Sequence, residues 1–172
     1  MNKLKTLTAV LAMIGAVGAQ PALAACQDNI VATTPDSDFT VHDNGTVTHN
    51  TTGLMWMRCS LGQEWSGSTC SGSASTYTWQ NALQTADGFS YAGYSDWRLP
   101  NKNELESIVE ERCVSPAINT TVFPTTPSNR FWSSSPDAYA SYDAWHVGFH
   151  YGGVFNSYKN SSSRVRLVRA GP

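Results

Sequence analysis

The chain has 172 residues, 11 basic and 13 acidic side chains, a formal net charge of −2 and 41% hydrophobic residues. It is long enough to bury a core. Its acidic balance excludes the basic footprint of a nucleic-acid binder.

The chain opens MNKLKTLTAVLAMIGAVGAQPALAAC. Lys3 and Lys5 precede an apolar run, and Pro21 and small residues follow it. Residues 1–24 read as a secretory signal peptide rather than a transmembrane segment, because the run is too short and no stop-transfer pattern follows. Ala22-Leu23-Ala24 fits a cut before Ala25, while Leu23-Ala24-Ala25-Cys26 also fits a lipoprotein box that would place a lipid on Cys26. The plain cut is preferred. Gln20 and Pro21 separate the run from the site, and Cys26, Cys59, Cys70 and Cys113 form an even set that lipidation would break. Cleavage leaves 148 residues, read as one domain over residues 25–172, with a net charge of −4 because Lys3 and Lys5 are lost.

An exported protein, whether periplasmic, surface-held or secreted, meets an oxidising compartment that permits disulfides. Cys59 and Cys70 bracket the polar loop SLGQEWSGST and are paired, which leaves Cys26 for Cys113. Zinc is the rival reading, but no two cysteines have C-x-x-C spacing.

Residues 25–38 are polar and irregular. Phe39-Thr40-Val41 and Gly45-Thr46-Val47-Thr48 read as two strands turned by Asp43-Asn44-Gly45, since Asn-Gly is a hairpin signal. Leu54-Met55-Trp56-Met57 is a third strand. Thr78 caps a helix from Trp79 to about Ala86, with Trp79, Ala82, Leu83 and Ala86 on one stripe and Gly88 past its end. In YAGYSDWRLP, Trp97 and Leu99 read as core and Asp96 with Arg98 as an ion pair. Asn101 and Glu104 then form a capping box opening a second helix. Leu105, Ile108 and Val109 share a face of that helix, which runs to near Cys113 before Pro116.

From Ser133 to Ser163, 21 of 31 residues are Ser, Tyr, Asn, Gly, His or Asp. Phe131, Trp132, Trp145, Val147, Phe149, Val154 and Phe155 recur at strand-like spacing, so this region folds. The closing RVRLVR alternates and reads as a last strand with its arginines on one edge.

WHVGFHYGG, residues 145–153, raises the question of a histidine site. On a helix His146 and His150 would share a face and a zinc ion. Trp145-x-Val147-x-Phe149 instead has period two, and four residues of strand span about 13 Å, too far for one metal. No G-x-S-x-G elbow or H-E-x-x-H motif occurs, so no enzyme is expected. The rival class is a periplasmic enzyme whose site is assembled in space. Tyr, Ser, Gly and Asn with few charges is the composition of a paratope. Hence the apolar frame is read as packed inward. Tyr139, Ser141, Tyr142, Asp143, His146, His150, Tyr151, Asn156, Ser157, Tyr158 and Asn160 are read as displayed outward to bind a protein or glycan ligand.

GTVTHNTTGLMWMRC, GYSDWRLPNKNELESIV, PAINTTVFP, FWSSSP, WHVGF and RVRLVR together resemble the bacterial domain named after the C-terminal domain of the Legionella collagen-like adhesin, from about Asp43 to Arg169. The resemblance implies an α+β, C-type-lectin-like fold: two helices, a small twisted mostly antiparallel sheet and long irregular loops. It also implies an exported, ligand-binding protein, in some members an adhesin for sulfated polysaccharide. Residues 131–163 hold a single lysine, whereas sulfated glycans want a basic cluster. The calcium triplets of sugar-binding C-type lectins are missing, so no cofactor is expected and calcium has no support. The C-terminal cysteines of the related formylglycine-generating fold are missing too.

The stretch between Trp132 and Arg164 is also similar to the variable region of proteins diversified by retroelements, which use this fold. There a reverse transcriptase mutates adenines, mostly in Asn codons. Asn, Ser, Tyr, His, Asp and Gly, the enriched residues here, are all reachable from AAC.

Overall fold

The structure, a computed structural model, describes residues 24–171. The signal-peptide reading of the opening segment lies outside the described residues. In chain order the elements are β1 (Ala25–Cys26), β2 (Phe39–Val41), β3 (Thr46–His49), β4 (Leu54–Met57), β5 (Glu64–Trp65), β6 (Cys70–Ser71), α1 (Trp79–Ala86), α2 (Lys102–Glu106), β7 (Cys113–Val114), β8 (Arg130–Pro136), β9 (Asp143–Gly148), β10 (Gly153–Tyr158) and β11 (Val168–Ala170). The class is α+β, with antiparallel sheets and two short helices.

Local chemistry explains most of these elements. Gly45 takes φ +81°, which a glycine tolerates, and turns β2 back onto β3 with Val41 opposite Val47. Thr78 accepts the Asn81 N–H at the start of α1. At α2 the Asn101 side chain accepts the Glu104 N–H, and the Glu104 carboxylate accepts the Asn101 N–H. This helix ends at Glu106 and not near Cys113. The Glu110 carboxylate turns away to accept the N–H groups of Thr33 and Thr34, at 3.1 and 2.9 Å, and of Arg112, which holds residues 107–112 in turns. Leu105, Ile108 and Val109 nonetheless all reach the core.

β11, β4, β3 and β2 form one sheet in that order, and β10, β9 and β8 form another. Strand alternation sends adjacent residues to opposite faces. Phe131 therefore enters one apolar cluster with Trp56, Leu105, Ile108, Val147 and Phe149, while Trp132 enters a second with Met55, Met57, Trp97, Leu99 and Leu167.

Two expectations in the charged segments DWRLP and RVRLVR are corrected. Asp96 and Arg98 do not pair: Arg98 grips both oxygens of Glu104 at 2.8 Å, and Asp96 accepts from Arg169 Nε at 2.7 Å. Two positions apart in an extended segment share a side, so alternation does not separate them; Glu104 of α2 takes Arg98 and Arg169 of β11 takes Asp96. RVRLVR is not one strand with its arginines on an edge. Only Val168–Ala170 is strand, paired with β4, and the residues before it cross between the two sheets. The Trp132 N–H bonds the Arg164 carbonyl on one side, and the Met57 N–H bonds the Leu167 carbonyl on the other. Arg166 is consequently fully buried.

Both disulfides pair as expected, Cys59 with Cys70 and Cys26 with Cys113. β1 and β7 are the short ladder around the second bond, a detail absent from the irregular reading of residues 25–38. Two such bonds fit an oxidising, extracytoplasmic setting. No helix among the described residues is long and apolar enough to cross a membrane.

Candidate functional site

The expected display region is built on the β9–β10 hairpin, where Gly148 faces Gly153 and Asp143 faces Tyr158. Val147 and Phe149 are buried as expected, but His146 is buried too, at 3% exposure, and Trp145 is only half-buried. β9 runs between the two apolar clusters, with Val147 in one and Ala144 in the other, so both of its faces are covered. The His146 ring lies between Trp132 and Phe155, with centroids 6.0 Å from each. Burial, aided by the nearby Arg130, pushes its pKa down to about 4, so it is neutral at pH 7. His146 is therefore a packing residue and not a displayed one. Phe155, placed in the frame by its spacing, is instead exposed, because β10 is the edge strand.

His150 is exposed beyond the end of β9. Its Nδ1 lies 3.0 Å from Ser115 Oγ and 2.8 Å from Ser128 Oγ, and its ring centroid is 4.0 Å from that of Tyr151. Among the described residues no group of three or more His, Cys, Asp or Glu side chains is placed to hold a metal ion.

The other expected residues fall at two ends of the hairpin. His150 and Tyr151 sit at its turn. Tyr139, Ser141, Tyr142, Asp143, Ser157, Tyr158 and Asn160 gather at the far end, with Asn156 beside them. Five strand steps, about 17 Å, separate the ends. Asp143 and Ser157 are half-buried, and the remainder of the far-end group is exposed.

At the far end the Tyr142 and Tyr158 rings lie 5.5 Å apart at 31°. They line a depression of about 530 Å³ with Lys159, Asn160 and Ser161. Lys159 and Ser161 were not among the expected residues, although Lys159 stands out as the only lysine of the stretch. Lys159 Nζ donates to the Ser141 carbonyl at 2.5 Å and lies 4.6 Å over the Trp79 ring, which ties the Tyr139–Tyr142 loop to α1. Asn156 Nδ2 donates to Asp137 Oδ2 at 2.5 Å, and the Tyr139 N–H donates to Oδ1. These bonds hold the Asp137 carboxyl below its usual range and fix the loop that carries Tyr139. Arg130 Nη1 reaches Ser157 Oγ at 3.2 Å. The outcome is a rigid platform of exposed phenols and amides with almost no net charge.

The model of the Lcl C-terminal domain family matches residues 45–169. No curated protein matches the chain.

Proposed function

Because the chain belongs to the Lcl C-terminal domain family, an adhesin-type domain, we propose that it is an exported, non-enzymatic binding module, adhesin-like or receptor-like, which recognises a protein or glycan ligand. The contact surface is the far end of the β9–β10 hairpin. One observation carries this reading: Tyr142 and Tyr158 lie exposed side by side, with Tyr139 exposed in the loop before β9, on a frame whose Phe131, Trp132, Val147 and Phe149 are wholly buried. Large exposed aromatics on a fixed backbone are what an interface needs, since they give contact area at low entropy cost. A C-type-lectin-like arrangement of the frame goes with this role. Against catalysis, among the described residues His146 has no hydrogen-bond partner at Nδ1, and His150 faces two serine hydroxyls without a carboxylate to orient it. The Cys26–Cys113 bond leaves Cys26 no thiol for a lipid, which favours the plain signal-peptide cut.

Screening the refolded, oxidised protein against arrays of host-surface proteins and glycans tests the reading. Tyr142→Ala and Tyr158→Ala should each weaken the best hit at least tenfold with an unchanged melting temperature. A chemical turnover lost in His150→Ala would instead favour the enzyme class.

A second reading is favoured by the sorting of residue types. Of the exposed hairpin positions His150, Tyr151, Asn156 and Tyr158 carry residues reachable from an Asn codon by adenine changes, Phe155 being the exception, while the buried frame is Phe, Trp and Val with His146. In this reading the surface is diversified by a retroelement. Its test is the genomic DNA downstream: a near-copy of the bases for residues 131–169 differing at adenines, beside a reverse transcriptase, establishes it, and its absence removes it.

A further inference from the structure

A second cavity, of about 540 Å³, opens between the β5–β6 hairpin and α1, and none of residues 139–160 lines it. Its walls include four aromatic side chains, Trp65, Tyr77, Phe89 and Tyr91. Asn44 and Glu64 add polar groups. The size and the mix of apolar wall with a few polar atoms are those of a small-molecule site.

The Trp65 wall is held rigidly. Trp65 faces Cys70 across the β5–β6 ladder, and Cys70 is bonded to Cys59. Trp65 Nε1 donates to the Asp43 carbonyl at 3.0 Å, and Arg58 covers one face of its ring at 4.3 Å. A Cβ on Gly45 would come within 2.7 Å of Trp65 Cγ and would meet the Tyr91 hydroxyl, so the turn and both rings are fitted to one another. Such fixed placement lowers the ordering cost of binding.

Charge narrows the occupant. No lysine, arginine or histidine lines the cavity, which disfavours a phosphate or sulfate group. An aromatic cage with one glutamate could take a quaternary ammonium ion, but Arg58 on the back of Trp65 opposes a second cation at its front. A neutral ligand remains. Asn44 spends its Oδ1 on Thr46, and its Nδ2 has no partner among the described residues. The Glu64 carboxylate and the Tyr77 and Tyr91 hydroxyls have no intramolecular partners among the described residues, since these residues bond only through their backbones. The ligand must therefore be flat and apolar on its faces and rich in hydroxyls at its edge. A pyranose ring fits: its C–H faces carry slight positive charge and lie on the negative faces of aromatic rings, while its hydroxyls radiate toward amide and carboxylate groups. We infer that this cleft binds one neutral sugar ring, at a site separate from the hairpin surface.

The test is titration of the oxidised wild-type protein with the methyl glycosides of glucose, galactose, mannose and N-acetylglucosamine, followed by NMR at the Trp65 indole N–H. At least one glycoside should shift that resonance saturably. Glu64→Gln and Tyr77→Phe should each weaken the response about fivefold, one hydrogen bond's worth, while Tyr158→Ala leaves it unchanged. No shift with any of the four sugars, or shifts confined to residues 139–161, overturns the inference. A response equal in Glu64→Gln, Tyr77→Phe and wild type does so as well. Because the hairpin variant is carried in parallel, failure here is distinct from failure of the hairpin surface.

Discussion

The His146 imidazole stands edge-on to the Trp132 indole, with ring centroids 6.0 Å apart and planes at 88°. A titratable ring thus sits inside the β8–β9–β10 sheet with Nδ1 unpartnered. Burial lowers its folded pKa to about 4, below the ordinary 6.5. Between those values the unfolded chain binds the extra proton, so stability rises with pH across the window and falls as pH drops from 6.5 toward 4. The slope for one group is at most about 1.4 kcal/mol per pH unit. His146→Phe keeps the ring volume and removes the titration. Urea midpoints should therefore fall between pH 6.5 and 4.5 more steeply in the wild type than in the variant. Parallel curves would show that the ring is solvated. His49, whose pKa burial also lowers, is present in both proteins and cancels in the difference.

Glu110 gives the second prediction. Burial pushes its carboxyl up, but the N–H groups of Thr34, Thr33 and Arg112 outweigh that and hold it below its usual value. The stabilisation is present above the unfolded pKa near 4.5 and is lost as pH falls through the folded one. Since these bonds tie the segment before β2 to the turns after α2, Glu110→Gln should cost about 2 kcal/mol at pH 7. It should also raise hydrogen-exchange rates at Thr33 and Thr34. A variant with wild-type exchange at both amides would contradict this assignment.

Arg166 gives the third. Its guanidinium is fully buried, donates to the carbonyls of Met57 and Arg58 and to Thr126 Oγ1, and lies 4.8 Å from the Phe123 ring centroid. Burial and the nearby Arg58 lower its pKa, yet an arginine stays cationic at neutral pH. Its role is to satisfy backbone acceptors where the closing segment crosses between the sheets. Arg166→Met fills the volume but strands those acceptors, so a loss of about 3 kcal/mol is expected from denaturant melts. A neutral result would mean that the carbonyls find other donors.

The parts of the fold written in neighbouring residues were legible from sequence. Thr78 with Asn81, Asn101 with Glu104, and Asn44-Gly45 act over three residues or fewer, and each element they start is where expected. What depended on distant partners was not. Asp96 meets Arg169 across 73 residues, and no local pattern separates that pair from Asp96 with Arg98. Alternation in WHVGF gave the strand but not its place in the sheet. Because β9 lies between two apolar clusters and His146 is flanked by Trp132 and Phe155, His146 went inside, while Phe155 on the edge strand β10 went outside, the reverse of the expected display. The second cavity left no trace in sequence, since its walls come from residues 44 to 91 and depend on one disulfide to meet.

The two disulfides provide the last prediction, and their unequal loops make it quantitative. Cys59–Cys70 spans 11 residues and Cys26–Cys113 spans 87. If the bonds act by restricting the unfolded chain, closure contributes about 2.8 kcal/mol for the short loop and about 4.6 kcal/mol for the long one. Cys26→Ala with Cys113→Ala should then cost about 1.8 kcal/mol more than Cys59→Ala with Cys70→Ala, read from urea melts of both double variants. Local contacts favour the opposite order. The long bond joins only the two-residue β1–β7 ladder, and Glu110 already anchors the same segment, whereas the short bond positions Trp65 on the Asn44-Gly45 turn. A larger loss from the short bond would therefore place the stabilisation in the folded hairpin and not in the unfolded chain. In that case Trp65 should also lose its fixed orientation, seen as a sharper fall in near-ultraviolet circular dichroism for the Cys59–Cys70 variant than for the other.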